Sequence, residues 1–159
     1  MIKKVLNNSL FFILGLVFSN SVFAQLPNPA IVGYLDCGQS LKLRNIDPRY
    51  NVVQISFAKG KNGTDYNLEF SPIYDEAEFK SDVEALQAEG KKVLISIGGQ
   101  YDPVMLDSLG ERDIFVSSVN AMIDKWGFDG FDIDLEGNSL GFSDIHVQNP
   151  GDIRQQHLI

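Results

Sequence analysis

Four carboxylates crowd one short stretch, Asp129-Gly130-Phe131-Asp132-Ile133-Asp134-Leu135-Glu136. On a β-strand alternate residues share a face. Asp132, Asp134 and Glu136 would then point one way, and Phe131, Ile133 and Leu135 the other. At about 3.3 Å per residue the three acids span about 13 Å, so neighbours in the row perturb each other's protonation. Like charges in a partly buried site resist ionising together, and their protons belong to the coupled set. A carboxyl kept protonated beside one kept charged is what acid-catalysed glycosidic cleavage requires. Two other readings use the same residues. One is a solvated edge strand with acids facing water, which the apolar alternates oppose. The other is a divalent-cation site, since carboxylates suit hard cations. The spread of the acids along one strand suits that poorly, and both histidines, His146 and His157, lie in the tail. The expectation is no metal and no cofactor.

Such a row needs a sheet to hold it. Four runs rich in Val, Ile and Phe, bounded by Gly, Pro, Asn or Asp, read as strands over 30–35, 51–58, 92–97 and 128–135. Val93-Leu94-Ile95 is continuously apolar, as expected of a parallel strand covered on both faces. Between the second and third strands, Phe79, Val83 and Leu86 recur at helical spacing. Asp75, Glu76 and Glu78 crowd that helix's first turn, where the dipole favours negative charge, and Gly90 stops it. Between the third and fourth, Phe115, Val119, Met122 and Trp126 mark one helical face, which Gly127 ends; Trp126 is expected in the core. Residues 41–46 could hold a short first helix, and 152–159 could begin a last one. Strand–helix alternation of this kind reads as a parallel α/β sheet.

Alternation alone does not choose between a doubly wound sheet and a barrel. A doubly wound sheet often carries a Gly-rich phosphate turn after its first strand, and Asp36-Cys37-Gly38-Gln39 has no such pattern. Carboxylates gathered on a later strand suit a (β/α)8 barrel, whose chemistry lies at the C-terminal strand ends. That barrel takes about 250 residues. The expected fold is therefore the N-terminal half of a (β/α)8 TIM barrel, about four strands of it.

The Asp129–Glu136 stretch resembles the D-x-x-D-x-D-x-E signature of glycoside hydrolase family 18 at every acidic position. Ser96-Ile97-Gly98-Gly99 resembles that family's S-x-G-G, in the right order. Ile31-Val32-Gly33-Tyr34 and Ile55-Ser56-Phe57-Ala58 look like its first and second strands, so the resemblance covers about residues 30–137. It implies a chitinase-type, retaining hydrolysis of β-1,4-N-acetylglucosamine linkages. Glu136 would protonate the leaving oxygen and later activate water. Asp134 would orient the substrate's own acetamido group, whose carbonyl oxygen attacks the anomeric carbon. Asp132 would share a proton with Asp134, and Asp129 would support the strand. Family 18 is a recognised substrate-assisted exception to the two-carboxylate scheme.

Ser96, Gly98 and Gly99 also have a plainer use, because glycines at a strand end let backbone segments approach closely. Tyr34 and Tyr101 could form part of a sugar-binding floor, or be ordinary core and loop tyrosines. A non-catalytic chitin-binding lectin-like protein and an endo-β-N-acetylglucosaminidase are alternatives on the same fold. Lectin-like relatives typically lose the catalytic acid, and Glu136 is retained.

Charge and the N-terminus bound the setting. The 159 residues carry 13 basic and 21 acidic groups, a net charge of −8. That balance argues against nucleic acid, whose phosphates need a basic face, and is compatible with a neutral polysaccharide. Lys3 and Lys4, an apolar run over 10–18 and small residues up to Ala24 read as a secretory signal peptide over 1–24. The run is too short for a membrane span. The protein is therefore expected to be secreted, with a partial catalytic domain over 25–159. Cys37 is the single cysteine and is expected to be a buried thiol. Family members have further strands, which supply a tyrosine and a tryptophan to the sugar site. Half a barrel has open edges, so self-association through them is a further expectation.

Overall fold

The computed structural model describes residues 25–36, 41–141 and 148–158. The signal-peptide reading of 1–24, Cys37 and His146 lie outside these residues. Five strands and three α-helices follow in chain order: β1 (Val32–Asp36), β2 (Val52–Gly60), β3 (Leu68–Glu69), α1 (Glu76–Ala88), β4 (Lys92–Gly98), α2 (Leu109–Trp126), β5 (Gly130–Asp134) and α3 (Ile153–Leu158). The sheet runs β1-β2-β4-β5, all neighbours parallel, with β3 paired antiparallel to the end of β2. The four expected strands are present with ends moved by a residue or two. The short β3 was not legible, because two residues carry no periodicity. The expected helix over 41–46 is only a 3-10 turn, Leu43–Asn45.

The helices begin and end where the side chains dictate. Asp75 caps α1 by accepting a hydrogen bond from the Glu78 amide at 2.9 Å, which satisfies an orphan donor of the first turn. Ser108 does the same for α2 through the Glu111 amide. Gly127 closes α2 with a left-handed backbone, φ 74°, and its N–H reaches the Ile123 carbonyl.

Registered residues of parallel strands share a face, and the register sorts the sheet into two surfaces. Val53, Ile55, Val93, Ile95 and Ile97 face the helices and are buried. Phe79, Val83 and Leu86 of α1 and Phe115, Val119, Met122 and Trp126 of α2 cover them. Phe70, Phe79, Trp126 and Phe128 pack edge to face or tilted, with ring centroids 5.4–6.2 Å apart, the favoured geometry for aromatic groups. Trp126 is thus core, with the Lys125 ammonium 4.2 Å from its ring centroid.

The opposite surface carries Tyr34, Gln54, Leu94, Ser96, Asp132 and Asp134. It is not covered on this side among the described residues, so Leu94 is only half-buried where a strand covered on both faces was expected. A second correction concerns β5. Phe131 and Ile133 were expected under the helices, yet are 44% and 51% exposed. They share the helix-side face with Ile95 and Ile97, but β5 is the sheet edge, and its contact with α2 leaves both side chains exposed.

Candidate active site

The site forms where the C-terminal ends of β4 and β5 meet. Ser96 is registered with Asp132 and Gly98 with Asp134, so the two carboxylates stand on the open face beside the Ser-Ile-Gly-Gly turn. Ser96 is fully buried, and its hydroxyl donates to Asp132 Oδ2 at 2.6 Å. The Tyr34 hydroxyl, from the far edge strand, donates to the same oxygen at 2.9 Å. Tyr34, open on sequence between a sugar-floor residue and an ordinary core or loop tyrosine, has its hydroxyl bonded to Asp132. Burial, followed by the bond to Asp132 and the nearby Asp132 and Asp134 charges, pushes the phenol up to about 12. It therefore stays a hydrogen-bond donor across the physiological range.

The glycines have a steric reason. Gly98 has φ 107°, and a Cβ there would lie 2.3 Å from the Asp134 carbonyl oxygen. Gly99 has φ 79°, and its N–H donates to that same carbonyl at 2.6 Å. Only residues without a side chain let the two strand ends approach so closely. Glu136 lies two residues past β5 in extended backbone, φ −121° and ψ 163°, and is exposed. The alternation of the strand thus continues to it.

Asp129 sits at the other end of β5, away from this cluster. It accepts from Lys92 Nζ at 2.8 Å, the Val93 amide at 2.9 Å and Gln87 Nε2 at 3.0 Å. Burial alone would raise its pKa, but the bonds from Lys92, Val93 and Gln87 outweigh it and hold the carboxyl below its ordinary value. Tyr101, just beyond Gly99, is 85% exposed and is not brought against the carboxylates.

Residues 30–154 match the family model for glycosyl hydrolases family 18. The chain belongs to glycoside hydrolase family 18. Exochitinase 1 of Streptomyces olivaceoviridis is 39% identical over 142 residues, covering 80% of this chain and 24% of that protein. Chitinase D of Niallia circulans is 38% identical over 139 residues, covering 81% and 26%. The crystal structure of a family 18 chitinase from Chromobacterium violaceum superposes with a TM-score of 0.62 at 33% identity, over 68% of this chain and 30% of that one. The chain thus spans about a quarter of the length of these curated relatives. The parallel strands are the N-terminal half of the family's (β/α)8 barrel.

Sequence reasoning missed the groups that fix the loops of this family 18 site. Ser139, buried just after Glu136, accepts from the Val104 amide at 3.1 Å. Arg154 of α3 bridges the Asp107 carboxylate and the Asn138 carbonyl. His157, placed by the sequence only in the tail, lies on α3 with Nδ1 2.6 Å from the Leu106 carbonyl oxygen. These bonds join positions 16 to 51 residues apart, and no local pattern announces them. No helix among the described residues is long and apolar enough to cross a membrane.

Proposed function

We propose that residues 25–159 carry the catalytic strand of a secreted chitinase, which hydrolyses β-1,4-N-acetylglucosamine linkages with retention by a substrate-assisted route. The observation that supports this reading most is the doubly hydrogen-bonded Asp132, set beside Asp134 in a metal-free reading of the row. Glu136 would give its proton to the glycosidic oxygen as the bond to the anomeric carbon breaks. The acetamido carbonyl oxygen of the same sugar would form the new bond from the opposite face, its N–H oriented by Asp134. Glu136, now a carboxylate, would then take a proton from the water that reopens that ring. The anomeric centre is inverted twice, so configuration is retained. Tyr34 and Ser96 would fix the position of Asp132, which would in turn hold Asp134.

The chain's own part in this is to place three carboxyls and two hydroxyls on one rigid surface. The leader over 1–24 and the acidic balance fit an enzyme working outside the cell on a neutral polymer. The test is hydrolysis of chitin and chitooligosaccharides by the full-length protein and its Glu136→Gln variant. Loss of at least about 1,000-fold in kcat is expected, consistent with removal of a general acid. Binding of chitin without any cleavage by the unaltered protein would favour the lectin-like reading. Cleavage confined to glycoprotein glycans would favour the endo-β-N-acetylglucosaminidase.

A further inference from the structure

Glu136 stands beyond the last strand pairing, and the turn that follows is what holds it. The register of β4 and β5 ends at Gly98 and Asp134, and the Gly99 amide adds one bond to the Asp134 carbonyl. No hydrogen bond or ion pair fixes the Glu136 carboxyl among the described residues. Its main chain is tied forward instead. The Ser139 amide donates to the Glu136 carbonyl at 3.1 Å, inside the 3-10 turn Gly137–Leu140. Gly137 and Gly141 bound that turn with φ 53° and 79°. Glycines leave such a segment free to pivot, and the pivot would carry Glu136 with it.

Three side chains oppose that motion. The buried Ser139 hydroxyl accepts from the Val104 amide at 3.1 Å, which pins the middle of the turn at one point. One point still permits rotation about it. Arg154 supplies a second: Nη1 donates to the Asn138 carbonyl, one residue nearer to Glu136. Its Nε and Nη2 meanwhile grip the two oxygens of Asp107, on the segment after β4. Gln155, 4% exposed, supplies a third from Nε2 to the Leu140 carbonyl at 3.0 Å. Arg154 and Gln155 both belong to α3, whose start is pressed against the turn. A Cβ on Gly141 would lie 2.2–2.4 Å from the Asp152 carboxyl atoms. A guanidinium presents its donors in a rigid planar fork, whereas lysine presents a point charge. Arg154 therefore sets the angle between the two loops as well as their spacing. Its hydrogen bonds hold the Asp107 carboxyl below its ordinary value, so the bridge stays ionised at mildly acidic pH.

We propose that Arg154 is a positioning residue for the general acid: through the Asn138 carbonyl it fixes the turn that aims the Glu136 carboxyl at the leaving oxygen. This role rests on the chitinase reading and adds to it a residue remote from the catalytic strand. Proton transfer needs hydrogen-bond reach, and a misplacement of about 1 Å costs up to about 100-fold. The test compares two leaving groups on the full-length protein. Chitohexaose expels a sugar oxygen that must take the Glu136 proton as its bond to the anomeric carbon breaks. A dinitrophenyl chitobioside expels a stable phenolate, which keeps the electron pair and needs no proton. For both, kcat/KM covers the steps through that cleavage. In Arg154→Lys, kcat/KM for chitohexaose is expected to fall about tenfold or more through kcat, while the aryl glycoside changes by less than about twofold. Asp107→Asn, which weakens the far end of the fork, should show the same selectivity, and the double variant should lose no more than Arg154→Lys alone. Thermal unfolding identifies the folded variants, and Asp107→Asn decides the matter if Arg154→Lys does not fold. An equal loss on both substrates overturns the positioning role, since the residue would then support the structure at large. Unchanged chitohexaose cleavage in the folded variants overturns it as well, and leaves the chitinase reading standing. If the unaltered protein cleaves neither substrate, the functional reading fails and the positioning role with it.

Discussion

Asp132 is the residue on which the site converges, and its two partners arrive from different distances. Ser96 comes from the adjacent strand, in register. Tyr34 comes from the far strand of the sheet, and its hydroxyl bonds the same oxygen. Replacing Tyr34 by Phe in the full-length protein removes one of two bonds to Asp132 and leaves the ring. A fall in kcat of about tenfold with little change in KM is expected, the size of one charge-assisted hydrogen bond; an unchanged kcat would deny Tyr34 a positioning role. The phenol also has a titration signature. Its pKa is raised from 10.0 to about 12, so the folded state favours the protonated form. The associated stability is fully present below about pH 10 and is lost as pH rises through about 12. An alkaline difference titration of tyrosinate should therefore lose a late-titrating group in Tyr34→Phe. Gly98→Ala tests the close approach: its Cβ would lie 2.3 Å from the Asp134 carbonyl oxygen at φ 107°. A destabilisation of about 2–4 kcal/mol in urea unfolding is expected.

Elements are held together by charge as well as by apolar packing. Asp129 gathers the start of β4 and the end of α1 onto the turn before β5, through Lys92, Val93 and Gln87. Gln87 also donates to the Gly127 carbonyl at 2.7 Å. Removing the charge by Asp129→Asn leaves the Lys92 ammonium, itself half-buried, without its carboxylate. The expected loss is about 2–3 kcal/mol in unfolding free energy. The pH dependence follows from the direction of the shift. Because the folded carboxyl sits below its ordinary value, its contribution is present above the unfolded pKa and is lost as pH falls through the folded one. Asp129→Asn should accordingly flatten the acid limb of the stability profile; an unaltered limb would count against the network. A similar knot joins the first turn of the sheet to α1, where Asp82, buried, pairs with Arg44 and accepts from the Tyr74 hydroxyl.

At the scale of the molecule, two surfaces are left open among the described residues. β1 and β5 are the two ends of the strand order, and Val32, Phe131 and Ile133 are exposed beside them. Unpaired strand edges flanked by apolar groups template further pairing. The 159-residue chain by itself should therefore associate, with a sedimentation-derived mass that rises with concentration. A monomer at every concentration would show that the edges are protected in some other way. The uncovered face that carries the carboxylates is also the face that a closed barrel would enclose.

The sequence by itself determined the strand–helix alternation, the acidic row and its one-sided display, since period-2 and period-3.6 patterns and the stop glycines at 90 and 127 are local facts. It also carried the family resemblance, because signature spacing is fixed by a single strand and needs no partner. Tertiary structure decided what Tyr34 touches, why Gly98 has no side chain and which loops lock beside Glu136. Each depends on residues far apart in the chain, such as Tyr34 and Asp132, separated by 98 positions, which meet only when parallel strands fall into register. It also decided that Phe131 and Ile133 stand exposed. Alternation assigns a side chain to a face of the sheet, but only the packed neighbours settle whether that face is covered.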